Sequence, residues 1–245
     1  MEISYAQPIK WGIFCLLANL LIFNPSVYAR RIKEVRYPLE IVEVVGTEIK
    51  SIQIDSQYSF SFPVSFSLHH VSAYLWLKSM IEKGSLPKGL TLVYLDAHSD
   101  YWGHRDTPQS ANWVRFVLGE GLCSRARLLF PNWAIKEREI FREFAFLSKE
   151  KTVFPDLSDI DSLNDLPYGE TIVLSIDCDW FSCYDPFHTA SGEEIVGKVE
   201  EIVKVLREKN IRIAALNIAL SPGYTTMDKE VFIRDTLLKA FWGYR

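Results

Sequence analysis

Cysteine is scarce in this 245-residue chain, which carries only Cys15, Cys123, Cys178 and Cys183. No two of them stand at a Cys-x-x-Cys spacing, and Cys15 lies in an apolar N-terminal run, leaving an odd number beyond it. A thiolate metal ribbon and a disulfide framework are both disfavoured, although a single Cys178–Cys183 bridge stays open. Dense runs of Lys or Arg are missing too. With 27 basic and 31 acidic residues the formal net charge is -4, which speaks against nucleic acid as the main partner. Internal repeats and low-complexity tracts are absent. What remains is ordinary globular material: 48% hydrophobic and 24% charged residues, enough for one domain with a sizeable core.

The apolar run from Trp11 to Phe23 is too short for a comfortable membrane span. Lys10 precedes it, Pro25 breaks it, and the small residues Val27 and Ala29 come before Arg30 and Arg31. This pattern predicts a signal peptide over residues 1–29, cleaved after Ala29, with a single domain over 30–245. The protein would then be exported, to a periplasm or outside the cell. An uncleaved membrane anchor, or a buried N-terminal helix in a cytoplasmic protein, are the alternatives, and the membrane enters only through this segment.

Further on, β-branched and apolar runs alternate with helical patterns. Residues 35–66 read as strands or a hairpin, His70 to Lys83 as a helix closed by Gly84 and Pro87, and 91–96 as a strand. A helix is expected near Ala111 to Leu118, with strands at Arg127 to Phe130 and Glu143 to Leu147 and then a polar connection to Pro167. Residues 171–178 form another strand. Ser191 and Glu194 have the spacing of a capping box, and Ile195, Val199, Ile202, Val203 and Leu206 make the apolar stripe of the following helix. Asn210 is its expected stop. A strand from Ile211 to Leu220 and a helix from Met227 to Trp242 complete the series. Such alternation predicts an α/β sandwich with a mainly parallel sheet.

Two of the strand patterns end in ligand-type residues. Thr91 to Leu95 runs into Asp96-Ala97-His98-Ser99-Asp100, and Thr171 to Ile176 runs into Asp177-Cys178-Asp179. Alternate residues of an extended chain share a face, so Asp96, His98 and Asp100 can converge, as can Asp177 and Asp179. Near-continuous apolar runs mark parallel strands buried on both faces, and the carboxyl ends of such strands are where open α/β sheets bind ligands. Four carboxylates meeting without cations would repel one another, so the pattern points to a metal site. Carboxylate and imidazole ligands without thiolate favour manganese or a similar divalent ion over structural zinc. His69 or His70, where a strand gives way to a helix, completes the shell; adjacent residues point apart, so one of them binds, and His69 is slightly favoured.

Asp96-Ala97-His98-Ser99-Asp100 resembles the Asp-Ala-His-x-Asp signature of the arginase-type ureohydrolases, and Ser175-Ile176-Asp177-Cys178-Asp179 resembles their Ser-x-Asp-x-Asp signature. The likeness spans most of residues 60–225. It implies the arginase/deacetylase fold, a three-layer α/β/α sandwich around a mainly parallel sheet. It also implies a dinuclear manganese centre held by His69 or His70 with Asp96, His98, Asp100, Asp177 and Asp179, bridged by Asp96 and Asp177. The deacetylase branch, with one Zn2+, is the alternative, and would leave His69 and Asp100 without a job. Asn112-Trp113, Phe130 to Trp133, Asp177 to Ser182 and Ser221 to Thr225 look like an uncharacterised arginase-related family of unknown function.

The departures bear on the substrate. Where ureohydrolases place the acid that holds a guanidinium, this chain has Ala219; their amino-acid-binding Asn corresponds to Trp102, and their proton-shuttling His falls near Trp113. A guanidinium buried without its acid would lack a charge partner. His104 and His188, each following a metal motif, are the candidates for acid–base work, beside Asp100 as an acceptor for the attacking hydroxide. Trp102, Asn112, Trp113 and Trp180 are expected around a substrate pocket. The function implied is metal-dependent hydrolysis of a C–N bond in a small linear amide, amidine or guanidino compound by a metal-activated hydroxide. A non-catalytic protein keeping the site for metal or ligand binding is the alternative.

Overall fold

The two motif-bearing strands, Leu90–Leu95 (β4) and Thr171–Asp177 (β7), run parallel side by side near the middle of one sheet. The computed structural model describes residues 36–45, 48–54, 58–101, 106–134, 152–156, 159–183 and 188–244. Six further strands join the pair: β1 (Leu39–Val45), β2 (Glu48–Ile54), β3 (Val64–Ser67), β5 (Cys123–Leu129), β6 (Val153–Asp156) and β8 (Arg212–Ala219). The order across the eight-stranded sheet is β2-β1-β3-β8-β7-β4-β5-β6. Every neighbouring pair is parallel except the β1–β2 hairpin at one edge.

Alternation along the central strands feeds two separate cores. Leu92 and Tyr94 of β4, Val173 of β7 and Ala215 of β8 face a layer containing Trp76 and Leu77 of α1 (His70–Glu82) and Val114 and Val117 of α2 (Trp113–Gly119). Val93, Leu95, Leu174 and Ile176 face the opposite layer. That layer carries Ile195, Val199 and Ile202 of α3 (Gly192–Glu208) with Ile233, Leu237 and Phe241 of α4 (Met227–Trp242). The expected three-layer α/β/α sandwich is therefore the observed one, with both sheet faces covered as parallel strands require.

The chain reverses its direction of travel across the sheet between β4 and β7. From β4 it passes through α2 on one face to β5 and then β6; from β7 it passes through α3 on the other face to β8. Loops leaving β4 and β7 at their carboxyl ends therefore part company and open a crevice.

Local signals explain several boundaries. The Ser191 side chain accepts from the Glu194 backbone N–H at 3.1 Å, capping α3, and Asn210 stops that helix in the left-handed region at φ 51°. The helix expected from Ala111 opens instead as a short 3-10 turn, Ser110–Asn112, in which Gln109 and Asn112 cap one another before α2 begins at Trp113. β5 starts at Cys123, four residues earlier than expected. β6 falls in the stretch read as a polar connection; among the described residues its backbone pairs only with β5, and an edge is where a strand tolerates a proline such as Pro155. The expected strand at Glu143 to Leu147 and the leader over 1–29 lie outside the described residues. Among the described residues no helix is long and apolar enough to cross a membrane.

Candidate metal centre

Asp96 follows the last residue of β4, and Asp177 is the last residue of β7. Backbone amides then turn the carboxylates toward one another. Asp96 Oδ1 accepts from the His98 amide at 2.6 Å, and Asp177 Oδ1 accepts from the Asp179 amide at 3.0 Å, starting the 3-10 turn Cys178–Trp180. Asp179 Oδ1 reaches back across the crevice to the Ala97 amide at 3.3 Å, tying the two strand ends together.

Two ligand-type triads result, His70 with Asp96 and Asp177, and His98 with Asp96 and Asp179. Within each, the potential ligand atoms lie within 4.8 Å of one another, and Asp96 belongs to both. His70 Nδ1 stands 3.4 Å from Asp96 Oδ2, 3.3 Å from Asp177 Oδ2 and 2.9 Å from Asp100 Oδ2. His98 Nδ1 stands 3.0 Å from Asp179 Oδ2 and 3.4 Å from Asp96 Oδ1. The first triad is wholly buried, whereas His98 is 47% exposed.

Electrostatics says what this cluster lacks. Burial, and then the charges of Asp179, Asp177 and Asp100, push the Asp96 carboxyl well above its ordinary range. Burial and Asp179 push Asp177 up to about 7. Burial would lower the His70 imidazole, yet the carboxylates of Asp177, Asp100 and Asp179 outweigh it and raise it. His98 is raised as well, burial being outweighed by the adjacent carboxylates of Asp179 and Asp96. Asp96 and Asp177 are thus short of positive charge, a shortage that divalent cations relieve. Asp179 Oδ2 is buried without a hydrogen bond. The residues fit the group that the sequence implies.

The pocket above these residues measures about 250 Å³. Its floor is the ligand set; Leu68, His69, Ser110, Pro222 and Tyr224 stand on its walls. Among the described residues three non-glycine residues have positive φ, and two of them sit here, Asp100 at 45° and Ser221 at 53°, the third being Asn210. Such backbone is uncommon for non-glycine residues and gathers at functional sites.

The structure distributes the expected residues unevenly. His70, not the favoured His69, faces the carboxylates. His69 is the extended residue preceding α1 and points outward onto the pocket wall, while His70 opens the helix and is 3% exposed. Asp177 is in the His70 triad only, so the shared carboxylate is Asp96. His104 and Trp102 lie outside the described residues. His188 is turned away from the pocket floor, stacking on Trp133 at 5.5 Å with its Nε2 3.2 Å from Glu194 Oε1.

The pocket-lining role expected of three residues gives way to packing. Trp180 is buried in the core and donates to the Leu129 carbonyl at 2.9 Å, because its 3-10 turn rolls it beneath the sheet end. Asn112 is spent on capping its own turn. Trp113 is 1% exposed and backs the site from below, stacked on His70 at 5.4 Å. Two participants escaped the sequence reading. Tyr94 donates to Asp100 Oδ2 at 2.9 Å; its place two residues before Asp96, on the same strand face, was the available signal. Ser221 hydrogen-bonds Asp177, and only the Ser-Pro-Gly turn hinted at it.

Neither a protein-family model nor a curated protein sequence matches the chain. Solved structures do. An agmatinase candidate from Clostridium difficile superposes with a TM-score of 0.55 at 19% identity, over 74% of this chain and 67% of its own. Arginase from Bacillus cereus gives 0.52 at 15% identity, over 75% and 72%. The chain adopts the arginase-like fold. Formimidoylglutamase from Bacillus subtilis, at a TM-score of 0.50 and 16% identity, is covered over only 60% of its length. This chain therefore spans between three-fifths and three-quarters of the arginase-like chains compared. In the arginase-like sheet described above, Ala219 pairs with Asp177 across β8 and β7 and is buried. The position expected to carry a guanidinium-binding acid is thus a methyl group beside the candidate ligand Asp177.

Proposed function

We propose that this chain is a metal-dependent hydrolase acting on a C–N bond of a small linear amide, amidine or guanidino compound. In this reading two divalent ions, manganese by preference and zinc as the alternative, are held by His70, Asp96, His98, Asp100, Asp177 and Asp179. The observation that carries the reading is the pair of triads sharing Asp96 at the crevice between β4 and β7. Bound there, the metal would supply a nucleophile from water near neutral pH and polarise the carbon under attack.

The chain's own contribution is placement. Backbone amides of His98, Ala97 and Asp179 orient Asp96, Asp179 and Asp177 before anything binds, so little reorganisation is left for the reaction. Leu68, Pro222 and Tyr224 give the pocket apolar walls that help exclude water. Ala219 favours substrates whose reacting group is neutral over a buried guanidinium.

The second reading is a non-catalytic metal- or ligand-binding protein. Ala219 and the buried, non-titrating Trp113 favour it, since neither can do the work expected of an acid or a shuttling imidazole at that place. The test is release of amine or ammonia from a panel of linear amides, amidines and guanidino compounds with and without Mn2+. Metal-dependent turnover that disappears together with bound metal in Asp177→Ala is expected. Turnover surviving in Asp177→Ala contradicts the mechanism, and metal bound without any turnover supports the second reading.

A further inference from the structure

We infer that Tyr94 and Trp113 are positioning residues that clamp Asp100 to the His70 side of the metal pair, an inference resting on the dinuclear reading above. Asp100 Oδ2 accepts from the Tyr94 hydroxyl at 2.9 Å and from Trp113 Nε1 at 3.0 Å, and lies 2.9 Å from His70 Nδ1. Both aromatic residues also touch the imidazole. The Tyr94 hydroxyl is 3.1 Å from His70 Nδ1 with the rings edge-on at 5.1 Å, and the Trp113 indole stacks on His70 at 5.4 Å and 22°. The two aromatic rings meet edge to face at 5.2 Å, closing a box around one carboxylate oxygen and one imidazole.

Three physical points make the box a clamp. Tyr94 and Trp113 are 0% and 1% exposed, so their donors have no water to turn to, and leaving either unpaired would carry the full cost of burying a bare polar group. The backbone of Asp100 is held in the left-handed region while its carbonyl accepts from the Val114 amide at 3.2 Å, pinning the loop to the start of α2. Both groups enter the box as hydrogen-bond donors to the carboxylate. They hold the carboxylate still and do not relay its proton. Among the described residues the His98 side has no such enclosure. His98 is 47% exposed, and the ring that meets it, Tyr224 at 4.8 Å, is itself 49% exposed. The clamp acts on one of the two positions.

The test is an Mn2+ titration of the full chain after chelator treatment, following free Mn2+ by electron paramagnetic resonance. The unsubstituted protein is expected to bind two equivalents. Tyr94→Phe and Trp113→Phe should each weaken one equivalent by roughly tenfold, the size typical of lost partners behind a metal ligand, and leave the other unchanged. Asp100→Asn should weaken the same equivalent, and adding Trp113→Phe to it should cost nothing more, because the indole acts through that carboxylate. Unchanged affinities in both aromatic variants, or equal weakening of both equivalents, overturn the clamp. If Trp113→Phe does not fold, Tyr94→Phe decides alone, since it removes only a hydroxyl. No binding by the unsubstituted protein would overturn the dinuclear reading itself, and is read before any variant is made.

Discussion

At Asp96 two demands meet on one carboxylate: Oδ2 faces His70 and Oδ1 takes the His98 amide with the His98 ring 3.4 Å away. The alternate spacing of Asp96, His98 and Asp100, and of Asp177 and Asp179, flagged this convergence in the sequence, but β4 ends at Leu95 and β7 at Asp177, so tight turns rather than strand pleat bring His98, Asp100 and Asp179 round. The choice between His69 and His70 was not legible, since it depends on the turn at which β3 hands over to α1. Nor was Trp113, whose contact with Asp100 needs the fold of an intervening loop. The two histidines are separable by experiment. His70→Ala should lose at least one equivalent of Mn2+ after dialysis, whereas His69→Ala should keep both, as measured by elemental analysis. Loss of metal from His69→Ala with retention in His70→Ala would reverse the assignment.

Among the elements, β4 and β7 were the plainest to read, because near-continuous apolar runs feeding two cores have no other economical place than the sheet centre. α3 was equally plain: cap, stripe and stop all agree. Here the Glu194 side chain lies 3.2 Å from His188 rather than completing the capping box, so Ser191 supplies the cap. Ser191→Ala should accordingly cost about 1 kcal/mol of unfolding free energy in urea denaturation, with the metal affinity untouched. A change within error of zero would remove the cap from the account of α3. β6 was hidden because a proline in a short run reads as a connection, and the entry to α2 because Gln109 is not a usual capping residue.

For the whole molecule, the ligand cluster couples stability to both pH and metal. In the metal-free protein Asp96 and Asp177 keep protons that an unfolded chain releases near pH 4. Their contribution is full below that value and is lost as pH climbs toward about 7 for Asp177. The raised His70 adds in the same direction, favouring the fold below pH 6.5 and ceasing to do so above its folded value. Metal replaces these protons, so binding tightens as pH rises. The gap in Tm between Mn2+-loaded and chelated protein should therefore widen from pH 5.5 to pH 8; a constant or shrinking gap would contradict the charge balance drawn here.

The reversal of the chain between β4 and β7 brings those charges together, and the arginase-like sheet exists around that crevice. The most direct test is an anomalous diffraction measurement on crystals grown with Mn2+. Two peaks about 3.5–4 Å apart, flanking Asp96 with His70 beside one and His98 beside the other, are predicted. A single peak, or none within reach of Asp96, would contradict the central claim.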